Sequence, residues 1–283
     1  MIACAILALI AGGLGGAVSG RHNENAQAQQ ETAFDRIEKT RTLRCGYILW
    51  PPYMDIDAQT GKPKGINVDL MDAIGQVLDV NVVWTEEVGW ATMLEGLKAS
   101  RYDAVCSALW QTPSRSMQAT FSTPYGYAAA YAWVRAKDTN VPRDLAKLND
   151  KAIRIATLDG EITTSLAKEL YPLAQTVSLP QMMPFADLLM NVVTNKADVV
   201  FSEEKIVRDF LKSNPGTLRK LSEKPLTTAP VAIALPQGDV RLKAAIDSAL
   251  NDIMASPQFD QILAPYGGAE ELSLKKVQSP FIN

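Results

Sequence analysis

Two carboxylates, one arginine and a set of aromatic rings are the side chains of this sequence best suited to chemistry. Arg115 stands in Thr112-Pro113-Ser114-Arg115, where Thr112 suits a helix N-cap and Pro113 the first helical position. A guanidinium on such a turn, beside free backbone N–H groups, can bind a carboxylate through two parallel hydrogen bonds. The stretch therefore reads as an anion-binding corner with Trp110 as its aromatic wall. It equally suits a surface helix whose arginine pairs with a neighbouring acid. Glu203 and Glu161 offer the opposite charge, and either can take an ammonium group sheltered by tryptophan faces. Glu203 also suits the start of a helix carrying Ile206, Val207, Phe210 and Leu211, where an acid complements the helix dipole.

Other chemistries are excluded by what the chain lacks. Residues 2–18 are almost wholly apolar and precede Ala26-Gln27-Ala28, which reads as an export signal cleaved near Ala28. No Lys or Arg precedes the apolar run, so retention as an N-terminal anchor is the alternative. His22 is the only histidine of the 283 residues and leaves with the signal. Without imidazole there is no Ser-His-Asp or Cys-His catalysis and no His-containing zinc site. No metal or cofactor is expected. The net charge of −3, with no basic run, argues against a nucleic-acid or anionic membrane partner. Cys45 and Cys106 sit in short apolar runs and are read as separate buried thiols, with an oxidised pair on adjacent strands as the other possibility.

Positioning these residues falls to alternating strands and helices. Strands are expected over 43–48, 80–84 and 104–106, with a helix capped by Asn67 whose apolar face carries Leu70, Met71, Ile74, Val77 and Leu78, and another around Met93, Leu94 and Leu97. The order recurs: strand 153–157, helix 163–170, strand 176–179, helix 185–193, strand 199–201. Leu94, Leu97 and Asp103 have the same mutual spacing as Leu189, Val192 and Asp198, an echo that any helix-loop-strand unit can produce. Two α/β lobes follow, each a mostly parallel sheet flanked by helices. Extended runs over 125–134 and 228–235 make two crossings between them, and helices over 240–254 and 257–263 return to the first lobe. At 47% hydrophobic residues the chain is long enough for two such cores.

Ligands of open parallel sheets lie beyond the carboxyl ends of the strands. Those loops supply Trp50, Tyr53, Trp90, Trp110 and Arg115 from the first lobe, and Glu161, Thr163 and Glu203 from the second. Three of five tryptophans fall on strand-end loops of one lobe, so an aromatic pocket is favoured over core packing. A small zwitterion fits, carboxylate at Arg115 and ammonium at Glu203.

The ordered set Leu43-Arg44-Cys45-Gly46, Trp50-Pro51-Pro52-Tyr53, Gly65-Ile66-Asn67-Val68-Asp69-Leu70, Tyr102-Asp103-Ala104-Val105, Thr112-Pro113-Ser114-Arg115 and Phe121-Ser122-Thr123-Pro124-Tyr125 resembles the amino-acid-binding class (family 3) of bacterial periplasmic solute-binding proteins of ABC importers. The resemblance implies a type II periplasmic binding protein fold with two hinge crossovers, a periplasmic location, a small solute such as an amino acid or amine, a transporter permease as partner, and a monomer. It implies lobe one over 42–128 and 230–270, lobe two over 129–229, a signal over 1–28, a polar lead-in over 29–41 and a tail over 271–283. Arg115 matches the family's arginine for an α-carboxylate, Glu203 falls where an acid meets the α-amino group, and Trp50 and Trp90 match pocket walls. Trp110 and Gly160-Glu161-Ile162 replace the family's hydroxyl contacts to the carboxylate, which favours an amine-bearing, aromatic or compact solute. A dehydratase on the same scaffold, using Glu161 or Glu203 as general acid, and a sensory module for a membrane receptor are the rival readings.

Overall fold

Alternation of β-branched runs with amphipathic helices builds two half-sheets in the computed structural model, which describes residues 31–271 and 275–276. The expected export signal, with Cys4 and His22, lies outside the described residues. The chain starts with α1 (Ala33–Thr40), where the expected polar lead-in is a capped helix: the Thr32 hydroxyl accepts from Asp35 N at 3.1 Å and the Asp35 carboxylate accepts from Thr32 N at 3.2 Å. Next come β1 (Thr42–Tyr47), the small hairpin β2 (Asp55–Ile56) and β3 (Pro63–Lys64), α2 (Ile66–Leu78), β4 (Asn81–Glu87), α3 (Met93–Lys98) and β5 (Ala104–Trp110). A single turn, α4 (Pro113–Ser116), and β6 (Thr120–Phe121) lead to the long β7 (Gly126–Arg135). The pattern repeats with β8 (Arg154–Leu158), α5 (Ile162–Leu170), β9 (Gln175–Leu179), α6 (Phe185–Val193), β10 (Val199–Glu203) and α7 (Glu204–Ser213). Then β11 (Leu218–Lys220) and β12 (Thr227–Leu235) bring the chain back to α8 (Val240–Ala255), α9 (Gln258–Leu263), α10 (Gly268–Glu271) and β13 (Lys275–Lys276). Among the described residues no helix is long and apolar enough to cross a membrane.

The strand order is β4-β1-β5-β12-β7-β10-β8-β9. Within each lobe the strands run parallel, β4-β1-β5 in one and β10-β8-β9 in the other. The two crossing strands pair antiparallel with each other from Thr227↔Ala130 to Val231↔Gly126. This is the two-lobed α/β architecture expected, with the crossovers themselves hydrogen-bonded into one mixed sheet. Ile66, Leu70, Met71 and Ile74 of α2 are fully buried in the first lobe, and Leu188, Leu189 and Val192 of α6 in the second, so each lobe has its own apolar layer of helix on sheet.

The echo seen in the sequence has a structural counterpart. Asp103 accepts from Arg44 N at 2.7 Å and Arg44 Nη2 at 3.0 Å, and Asp198 accepts from Arg154 N at 3.0 Å and Arg154 Nη2 at 2.8 Å. In both lobes the arginine also donates to a carbonyl three residues before the acid, Ser100 or Asn195, each with positive φ. The same device thus ties the first strand to the helix-strand turn that follows in each lobe.

Three expectations are corrected. Cys45 and Cys106 are not separate thiols: they form a disulfide between neighbouring β1 and β5, with a Cα–Cα distance of 5.5 Å. Parallel pairing of Cys45 with Ala104 brings Cys106 into reach. Asn67 is not the cap of α2. The helix starts at Ile66 after Gly65, and Asn67, fully buried, donates from Nδ2 to the Tyr125 hydroxyl at 3.2 Å. Trp110 is not on a strand-end loop: β5 runs on past Cys106 to Trp110 because β12 pairs there, Val231 with Trp110.

Candidate functional site

The carboxyl ends of the two half-sheets face one another, and the site is assembled from both. Trp110 is the last residue of β5, and Glu203 is at once the last residue of β10 and the N-cap of α7. The Trp110 indole Nε1–H donates to Glu203 Oε1 at 2.8 Å, and the Tyr53 hydroxyl donates to Glu203 Oε2 at 3.3 Å. Trp110 and Tyr53 are buried and Glu203 is half-buried. Desolvation pushes the Glu203 carboxyl up to about 7 against the two hydrogen bonds, with Glu161 adding repulsion. Burial and the Glu203 charge push the Tyr53 phenol well above its ordinary value, which keeps it a donor.

Arg115 is buried beneath this pair. Its backbone N–H donates to Thr112 Oγ1 at 3.3 Å, as the expected cap requires, but the helix is one turn long. Its guanidinium donates from Nη1 to the Trp110 carbonyl at 3.0 Å and from Nη2 across the cleft to the Gly160 carbonyl at 3.2 Å. The Trp90 ring centroid lies 6.0 Å from Cζ. Burial lowers the arginine's proton affinity while neighbouring Glu161 raises it. Glu161 caps α5, accepting from Thr163 N at 2.7 Å. Burial raises its carboxyl against the hydrogen bonds of Thr163 and the charge of Arg115. Thr163 is buried behind Glu161, where its hydroxyl accepts from Leu158 N at 3.1 Å.

Aromatic rings close the space. Trp50 meets Trp90 edge-on at 5.2 Å and Phe185 edge-on at 4.6 Å between centroids. Two voids of about 10 Å³ remain, one bordered by Trp90, Trp110, Arg115, Glu161 and Glu203, the other by Trp50, Trp110, Glu161, Phe185 and Glu203. Each is about the size of one water molecule or one ammonium head. Outside the rings lies a groove of about 380 Å³ between the lobes, lined mainly by apolar side chains.

Trp50, Tyr53, Trp90, Trp110, Arg115, Glu161, Thr163 and Glu203 thus lie in one region, with Thr163 in its second layer. Phe185 and Gln181 escaped sequence reasoning, and Gly160 enters it only as part of a strand-end loop that departs from the family pattern. Gln181 Oε1 accepts from Ala91 N at 2.8 Å, and a Cβ on Gly160 would run into the Ala91 backbone. The signal was present: β9 ends at Leu179, so its strand-end loop holds Gln181 and leads to Phe185.

The family model of the bacterial extracellular solute-binding proteins, family 3, matches residues 43–269. A probable amino-acid ABC transporter-binding protein of Haemophilus influenzae is 23% identical over 239 residues, 83% of this chain and 88% of that protein. The ABC transporter arginine-binding protein 1 of Escherichia coli is 26% identical over 216 residues, 75% of this chain and 85% of that one. Among solved structures, the ancestral amino acid-binding protein AncCDT-1, a precursor of cyclohexadienyl dehydratase, superposes with a TM-score of 0.71 at 23% identity, covering 83% of this chain and 99% of its own. A mutant of ArgBP from T. maritima gives a TM-score of 0.72 at 23% identity, covering 83% of this chain and 99% of its own.

Proposed function

Because the chain belongs to the bacterial extracellular solute-binding proteins of family 3, we propose that it is the exported binding component of an ABC importer. It captures a small amine-bearing solute, an amino acid or a related compound, between lobe one (42–128 and 230–270) and lobe two (129–229). The carrying observation is Glu203 of the second lobe, held by Trp110 and Tyr53 of the first. A carboxylate supported by neutral donors attracts a cation, and it does so only where both lobes meet. Trp50 and Trp90 wall the site, Glu161 and its support Thr163 add negative charge, and Arg115 stands at the back for any carboxylate a solute carries. Closure needs only that the solute touch both lobes when they are shut and mainly one when they are apart. The chain then works as a periplasmic monomer that presents its closed form to a permease. Isothermal titration against an amino-acid and amine library should give saturable one-to-one binding that Glu203→Ala weakens. Binding of nothing in the library would defeat the reading. Capture of a permease rather than a signalling receptor from membranes separates transport from sensing.

One observation favours a second reading. A Glu203 carboxyl raised to about 7 suits a general acid, and one similar structure is described as a precursor of a dehydratase. Turnover of a cyclic carboxylic acid by the purified protein would establish it, and tight binding without turnover removes it.

A further inference from the structure

We propose that the ligand is a hydrophobic amine without a carboxylate, its ammonium head at Glu203 and Glu161 and its apolar body in the groove outside the tryptophans. This rests on the solute-binding reading and narrows it. The inner end of the cleft holds one guanidinium and two carboxylates. Arg115 and Glu161 bring opposite charges to the border of one void, whereas the partners of Glu203 are an indole and a phenol, both neutral. One added positive charge completes the set, and an added carboxylate would face two like charges in a site sheltered from water.

Arg115 is already engaged by the protein itself. Both of its terminal nitrogens already donate to main-chain carbonyls, and Trp90 lies over the group. A carboxylate that took both terminal nitrogens would share them with the Trp110 and Gly160 carbonyls, and the second of these contacts itself joins the lobes. Arg115 therefore fastens the lobes here, and Glu203 and Glu161 are the groups best placed for a ligand's charge.

The groove supplies the apolar half of the site. Its volume of about 380 Å³ is that of a small-ligand pocket, and Leu49, Met182 and Met183 on its walls are 39%, 54% and 39% exposed. Large apolar side chains left open from both lobes at one place mark a surface that another apolar body covers. Trp50 and Phe185 border both the groove and an inner void. They belong to opposite lobes, so parting the lobes parts this ring contact and joins groove to acids. Two acids stand at the groove's rim, Asp55, 3.5 Å from Lys64, and Glu87, which is exposed to solvent.

Calorimetric titration of the purified chain with 2-phenylethylamine, L-phenylalanine, 3-phenylpropionate, L-arginine, butyl-, pentyl- and hexylamine and 1,6-diaminohexane tests this. The amine should bind about tenfold or more tighter than L-phenylalanine, and alkylamine affinity should rise about fourfold per methylene. Glu203→Gln should cost about tenfold in amine affinity, and Met182→Asn should flatten the methylene increment. Tighter binding of L-phenylalanine, L-arginine or 3-phenylpropionate overturns the proposal and leaves solute binding standing. A diamine preferred to hexylamine overturns the apolar body, and an increment unchanged in Met182→Asn does the same. Failure of every amine and amino acid to bind overturns both readings.

Discussion

The indole Nε1–H of Trp110 lies 2.8 Å from Oε1 of Glu203, joining residues 93 apart in sequence and on opposite lobes. Trp110→Phe keeps a ring against the site and deletes the donor. The closed arrangement should lose about 1.5–3 kcal/mol, the worth of a hydrogen bond to a charged group. Small-angle scattering should report a larger radius of gyration in the variant, and an unchanged curve would show that closure does not depend on this bond.

Glu203 makes stability depend on pH in a definable window. Its carboxyl is raised from 4.5 to about 7 in the folded chain, so between these values the folded state holds a proton that the unfolded state has lost. Stability must fall as pH rises through that window. Glu203→Gln removes the effect while keeping an acceptor for Trp110. Calorimetry should find the variant's Tm close to the parent's at about pH 4.5 and above it by about pH 8. A bound ammonium group favours the charged carboxylate, so amine affinity should rise over the same window.

Gly160 has a φ of +76°, and a methyl group there meets the backbone of Ala91 in the other lobe. Gly160→Ala should leave the circular dichroism spectrum intact and cost about 1 kcal/mol of local strain in Tm. Solute affinity should fall by about tenfold or more because the lobes cannot shut. Undiminished affinity would mean that the solute is held without this contact.

Removing the Cys45–Cys106 disulfide, which spans 61 residues and lies fully buried in lobe one, should cost about 2–4 kcal/mol. Denaturant titration of Cys45→Ala/Cys106→Ala against the parent measures it, with reductant lowering the parent's midpoint toward the variant's and leaving the variant's own midpoint in place.

Much of the framework was legible locally. Helix α6 runs over Phe185–Val193 as read, because Pro184 blocks an earlier start and Leu188, Leu189 and Val192 recur at helical spacing. The repeated order of strands and helices pointed to two lobes, and strand-end loops pointed to the tryptophans and acids. The disulfide was not legible, since it needs the sheet register that sets Cys45 beside Ala104. Nor was the length of β5, which depends on pairing with a strand more than a hundred residues later.

By itself the sequence determined which side chains stand at strand ends, because periodicity and capping act over a few residues. Only the tertiary structure decided their partners. It gave Arg115 to the Trp110 and Gly160 carbonyls, Glu203 to Trp110 and Tyr53, and Trp50 to Phe185. All but the Arg115–Trp110 contact join opposite lobes, and their distances are set by how β7 and β12 pair and how the lobes meet, which no local run of residues encodes.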